Sequence, residues 1–247
     1  MNRAAGGTRS VRHFSDPTYL LVIAAAALAL LAACTADAPT PTPPSAEAFR
    51  DRTVAALRQL STVHFEVAHE AGGTDLGGGL VLLTAEGDAL FPDRAELTAL
   101  TVLEAVGINL SMGIVQIARE TYVRDPVSRI WREADPGAIP FNFVGMHDSL
   151  ADALAAASSL GLADGGKRDG VGTFLLTGVV AARAFAGLVP SAVEDSELRI
   201  EVWIGVEDAL PRSVRMVGAL VAGDPPEMTR LMTLRDFNAP VTVEPPL

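Results

Sequence analysis

The sequence predicts an α+β domain built on an antiparallel β-sheet, and three observations predict it. Leu198, Ile200, Val202, Ile204 and Val206 alternate strictly with Arg199, Glu201 and Trp203, the two-residue period of a strand with one apolar and one wet face. Strand-like segments come in runs joined by Gly, Pro, Asp and Asn turns. Helical spacing is confined to a few segments between those runs, an order that fits α+β better than the regular alternation of a parallel sheet.

In chain order, residues 1–33 read as a cleaved secretory signal. Arg3, Arg9, Arg12 and His13 precede an unbroken apolar run over residues 20–33. That run is shorter than the roughly 20 residues a membrane-spanning helix needs. It ends in Leu31-Ala32-Ala33-Cys34, a lipobox whose small residues admit a peptidase before Cys34, the only cysteine of the chain. Cys34 is then the expected lipid attachment point, which consumes the thiol and leaves no disulfide chemistry. Two or three acyl chains give lasting attachment where one holds marginally. Residues 34–46 follow as a Pro- and Thr-rich, extended tether, and 47–247 as one domain.

Residues 47–60 place Ala48, Val54, Ala55, Leu57 and Leu60 at near-helical spacing, with Ser45 available as the N-cap. Strands are expected at 63–67, 80–83, 94–102 and 114–117. Residues 72–79, rich in glycine, lack the Gly-Lys-Ser/Thr ending of a phosphate loop and read as a hairpin. Asp125-Pro126 favours a turn, so 122–123 and 130–131 pair as another hairpin. A helix is expected over 149–160, capped by Asp148 or Ser149 and stopped by Gly161, and a second short helix over 181–188. Strands return at 171–180, 198–206, 213–221 and 228–237.

Without residues 1–33, which hold Arg3, Arg9, Arg12 and Asp16, the chain carries 16 basic against 29 acidic residues. That balance argues against a nucleic-acid partner. His64, His69 and His147 fall on separate elements with none of the spacings of metal or triad chemistry and read as surface residues. No Gly-x-Ser-x-Gly elbow is present. No metal, cofactor or catalytic residue is assigned, and the chain is not expected to be an enzyme.

Several segments together resemble the mycobacterial lipoprotein family of LppX, LprG, LprA and LprF: 60–65 (Leu-Ser-Thr-Val-His-Phe), 85–88 running to Pro92, 122–126 followed by Ile130-Trp131, and 140–143 (Pro-Phe-Asn-Phe). The likeness continues through 170–172, 202–204 leading to Leu210-Pro211, and 232–237 followed by Pro240-Val241 and Pro245-Pro246. The resemblance implies a LolA- or LolB-like half-barrel, a curved antiparallel sheet with helices covering its concave face around an apolar cavity. It also implies a lipoprotein anchored on the extracytoplasmic face of the cell membrane that binds acylated lipids or glycolipids and carries them across the envelope, with an envelope transporter as a further partner. The alternative is an envelope-stress sensory or partner-binding module with the same fold and no transport role.

On that resemblance the expected cavity lining is Phe65 and Val67 on the first strand, Leu97 and Ala99 after Pro92, Leu176 and Ile204 on later strands, and Phe141, Phe143, Leu150 and Leu154 from the covering segments. The substitution Leu97→Trp is expected to block ligand uptake while folding is retained.

Overall fold

A computed structural model describes residues 44–135 and 137–246. The signal segment, the lipobox and the tether as far as residue 43 lie outside the described residues. The compact unit Pro44–Leu247 opens with helix α1 (Ala46–Leu57), followed by strands β1 (Thr62–Ala71), β2 (Thr74–Gly77), β3 (Leu80–Leu90), β4 (Arg94–Leu103), β5 (Ile108–Ile117), β6 (Glu120–Arg124) and β7 (Trp131–Glu133). Helix α2 (Met146–Ala156) then leads to β8 (Ser158–Arg168), β9 (Val171–Ala181), β10 (Glu197–Gly205), β11 (Pro211–Val217) and β12 (Thr229–Arg235).

The twelve strands form one sheet in the order β7-β6-β5-β4-β3-β1-β12-β11-β10-β9-β8, with β2 paired to β3 off that path. Every pairing is antiparallel. The chain therefore starts at the middle of the sheet, meanders outward to β7, and resumes after α2 at the far edge, β8. From there it meanders back until β12 closes on β1, with Phe65 opposite Leu234 and Val67 opposite Met232.

One face of this sheet is apolar because its strands alternate. On β4, Ala95, Leu97, Ala99 and Thr101 are buried, while Glu96, Thr98 and Leu100 are exposed; on β10, Leu198, Ile200, Val202 and Ile204 are buried. Both helices contribute side chains to the same core, Phe49 and Leu57 from α1 and Met146, Leu150, Ala151, Ala153 and Leu154 from α2. Each fully buried large apolar side chain contributes about 1.5–3 kcal/mol. Ser45, in extended conformation, caps α1 by accepting from the Ala48 amide at 3.1 Å. No helix among the described residues is long and apolar enough to cross a membrane.

Three expectations need correction. The helix expected at 149–160 starts earlier and ends at Ala156: Gly145 is its N-cap, and Ser149 instead accepts from the Leu188 amide. Residues 158–168 are the edge strand β8, whose sequence shows little alternation because it is mostly solvated and bulged, with register shifts at Ser158/Gly161 and Asp164/Gly166. Gly161 is no helix stop; a Cβ there would lie 2.8 Å from the Thr177 hydroxyl, so it permits close strand approach. The helix expected over 181–188 is only a 3-10 turn, Ala182–Phe185.

The histidines are the third case. His147 is buried and stacks on Phe91 at 3.9 Å, His69 is half-buried, and His64 is bound to Asp88 at 2.9 Å. Tertiary contact, invisible in residue spacing, removes His147 and in part His69 from the surface, while His64 stays on the polar face of the sheet among Asp88, Glu86 and Arg235.

Candidate functional site

The apolar face of the sheet holds a small group of voids, two beneath the Phe141–Phe143 segment and one beneath α2. The first, of about 40 Å³, lies between Val67, Ala85, Phe141, Phe143, Met216 and Met232, with Leu188, Val189 and Leu220 closing it from the loops. A second, of about 10 Å³, lies between Leu82, Leu97, Ala99, Ile114, Phe141 and Phe143. A third, also about 10 Å³, separates Leu150 and Leu154 of α2 from Phe185, Ile200, Val202 and Val214. By the same measure a single water needs roughly 10–15 Å³ and sites for small-molecule ligands run to about 300–1,000 Å³. The interior is thus closed as it stands.

Of the ten residues expected to line a cavity, Val67, Leu97, Ala99, Phe141, Phe143, Leu150 and Leu154 border these voids. Phe65, Leu176 and Ile204 are fully buried in continuous packing and border none of them. Phe65 is placed instead against Phe143, ring centroids 4.9 Å apart and planes nearly parallel. The void beside Leu97 is too small for an indole, so Leu97→Trp in this closed state overpacks the core, and retained folding is no longer the expected result.

Phe141 lies on an irregular segment before α2 and Phe143 opens the 3-10 turn Phe143–Gly145 that joins it to α2; both are held by side-chain and loop hydrogen bonds. Gln116, buried on β5, donates through Nε2 to the Phe141 carbonyl at 2.8 Å and accepts from the Phe143 amide at 2.9 Å. Between them, the Asn142 amide donates to the Leu188 carbonyl at 2.8 Å. Gln116 was not singled out from the sequence. Its signal is a lone polar side chain continuing the inward parity of Met112 and Ile114.

One end of the first void is polar. Arg230 donates to the Thr74 hydroxyl at 3.1 Å and to Asp224 at 2.6 Å, and the ion pair is 5% and 4% exposed. His69 lies 2.8 Å from the Thr74 hydroxyl and 3.0 Å from the Leu83 carbonyl. A carbonyl only accepts, so Nδ1 carries the proton, and neutral His69 takes the Thr74 hydroxyl proton at Nε2. Burial pushes His69 below its ordinary pKa of 6.5, against the pull of the Leu83 carbonyl and with help from Arg230. Burial also pushes His147 down, opposed by Asp148, and among the described residues its Nδ1 has no partner. Both groups bind protons more readily when unfolded. Their stabilisation is full above about pH 6.5 and is lost as pH falls through the lowered folded values. The urea midpoint should therefore fall between pH 7.5 and 5, and His147→Phe should flatten that slope. An unchanged midpoint for the parent chain contradicts the placement.

Among the described residues no cluster of His, Cys, Asp and Glu is arranged to hold a metal. Two larger hollows, of about 420 and 320 Å³, lie at the surface and are partly polar, the first flanked by Arg199, Glu201 and Arg215.

No match is found among curated proteins. The structure is similar to that of LprF from Mycobacterium bovis, with a TM-score of 0.64 at 15% identity over 83% of this chain and 98% of that one. It is similar to the lipoprotein LppX from Mycobacterium tuberculosis, with a TM-score of 0.53 at 17% identity over 82% of this chain and 100% of that one. A LolA-superfamily protein from Nitrosomonas europaea also matches, at a TM-score of 0.28 and 10% identity over 79% of this chain and 93% of that one. The fold is that of LprF and LppX, and the family model for LppX_LprAFG lipoproteins matches residues 45–243. The chain belongs to the LppX_LprAFG lipoprotein family.

Proposed function

We propose that this lipoprotein, anchored through Cys34 on the extracytoplasmic face of the membrane, holds an acyl chain of a lipid or glycolipid between α2 and the apolar face of the sheet and carries it across the envelope. The observation that carries the reading is the run of apolar voids on both sides of Phe141 and Phe143. Buried hydrocarbon contributes about 25 cal/mol per Å², so several hundred Å² of acyl surface supply a strong drive without any reacting group.

The voids total far less than a lipid needs, so uptake requires the interior to open. The segment carrying Phe141 and Phe143 is the part suited to move. It borders two voids, and it is pinned by the Gln116 and Leu188 bonds and by the single 3-10 turn Phe143–Gly145 that leads into α2, with no sheet ladder to rebuild. The closed interior favours a second reading, in which the fold serves as a partner-binding or sensory module with no cargo.

A polarity-sensitive fluorescent fatty acid added to the unit Pro44–Leu247 separates the two. The carrier reading predicts an emission rise that saturates near one probe per chain and is reversed by palmitate. No rise, with a cooperative unfolding transition intact, leaves the partner-binding module.

A further inference from the structure

The most exposed large apolar side chains are not scattered. Val106 is 60% exposed, Ile108 55%, Val127 81% and Ile130 64%; Val106, Val127 and Ile130 sit in the turns of two adjacent hairpins, β4–β5 and β6–β7, and Ile108 is the first residue of β5. The register of β5 with β6, Gly113 opposite Arg124, carries the β6–β7 turn toward the same end of the sheet as the β4–β5 turn. These are protruding tips and not a groove, a shape that enters a soft apolar phase better than it receives a segment of chain.

The exposed tips continue inward as a graded apolar ramp. The outermost inward-facing row is Ile108, Leu103 and Leu80, paired across three strands. The next is Leu110, Thr101 and Leu82, where Thr101 turns its hydroxyl onto the Leu110 carbonyl. A register shift between Leu82 and Thr84 keeps Leu82 and Ala85 on one face, and the third row is Met112, Ala99 and Ala85, fully buried. Leu82, Ala85 and Ala99 already border the internal voids. Exposure thus falls row by row from the tips to the interior, with no charged side chain in the three rows.

The flank of this edge has the chemistry of a membrane interface. The β6–β7 hairpin as a whole is charge-balanced, Arg124, Arg129 and Arg132 against Glu120, Asp125 and Glu133, but the three arginines and Asp125 stand toward its turn while Glu120 and Glu133 lie farther from it, and Tyr122 and Trp131 are on the same hairpin. Aromatic and arginine side chains beside an apolar wedge suit the headgroup layer of an anionic leaflet. Asp125 holds the tip in shape by accepting from the Val127 and Ser128 amides and pairing with Arg132.

We propose that the β4–β5 and β6–β7 turns form a docking edge that enters an anionic lipid bilayer and admits an acyl chain along the Ile108–Leu110 ramp. The admission of a chain rests on the carrier reading above; the docking does not.

The test uses the full chain, isolated from membranes and reconstituted into vesicles of phosphatidylglycerol and phosphatidylcholine whose acyl chains carry bromine near the headgroup. A fluorophore is placed on Ile108→Cys, on Val127→Cys or, at the opposite end of the sheet, on Asp169→Cys, with labelling counted against the unsubstituted chain. The expected result is bromine quenching at 108 and 127 and none at 169, with Val106→Asp/Val127→Asp abolishing quenching at 108 and slowing lipid uptake at least tenfold. Unquenched fluorophores at 108 and 127 overturn the docking edge even when cargo is bound. Crosslinking of 108 between copies without quenching also overturns it and assigns the edge to a second copy. Quenching at both positions with no lipid taken up keeps the docking edge and overturns the admission of a chain together with the carrier reading.

Discussion

Asp224→Ala is expected to lower folding stability by about 3–5 kcal/mol, the cost of leaving a buried charge without its partner. Asp224 Oδ2 accepts from Arg230 at 2.6 Å and from the amides of Leu220 and Val221 at 2.9 and 3.0 Å. The substitution strands a guanidinium that is almost wholly buried and frees two amides of the loop between β11 and β12 at once. Because Arg230 also holds Thr74, and Thr74 holds His69, the loss should spread to the β2–β3 hairpin. Urea denaturation measures it. Replacing both partners, as Asp224→Leu with Arg230→Met, removes the stranded charge and should recover more than half of the loss. Equal stability of Asp224→Ala and the parent chain contradicts the buried pair.

Phe143→Ala is the second large effect, with an expected loss of about 3–5 kcal/mol from lost apolar burial and the cavity left behind. The Phe143 ring is buried, stacks on Phe65, and stands between the void of about 40 Å³ and that of about 10 Å³. Removing it joins them into a single cavity, apolar except at the end of the first void where Arg230, Thr74 and His69 are bonded to one another and to Asp224 and the Leu83 carbonyl. Such a cavity stays dry and takes small apolar guests, so the variant should bind xenon or benzene and regain stability with guest concentration. Phe143→Leu keeps most of the volume and should cost distinctly less. If Phe143→Ala is as stable as its parent, the segment before α2 does not pack as described.

Local chemistry made part of this fold legible and tertiary contact hid the rest. The Ser45 cap and the spacing through Leu57 carry α1, the alternation from Leu198 to Ile204 carries β10, and Asp125-Pro126 carries the β6–β7 turn, because each is decided within a few residues. Strand β3 is longer than its apolar core suggests. Gly87 and Asp88 look like turn residues, yet a Cβ at Gly87 would lie 2.1 Å from the Glu96 carbonyl oxygen, so the glycine serves the approach of β4. Strand β8 carries only a short signal, since Leu160 and Leu162 alone of its large apolar side chains pack on the core and the rest of this bulged edge strand is solvated.

The interior divides the same way. Parity along β1 and β4 places Phe65, Val67, Leu97 and Ala99 inward, and residues on β11 and β12 such as Met216 and Met232 were open to the same argument. Which inward residues border space and which pack solidly depends on how α2 and the Phe141–Phe143 segment settle against them. Leu176 and Ile204 show this, sharing the face with void-lining neighbours while bordering no void themselves. The Arg230–Asp224 pair joins two elements through a loop, and no spacing in the chain announces it.

Native and extracted-lipid mass spectrometry of the full chain isolated from the membranes of its own host tests the central claim most directly. The account predicts one acylated lipid or glycolipid per chain, held apart from the anchor on Cys34 and reduced in the overpacked Leu97→Trp variant relative to its folded fraction. A folded chain that carries its anchor and no other lipid contradicts it.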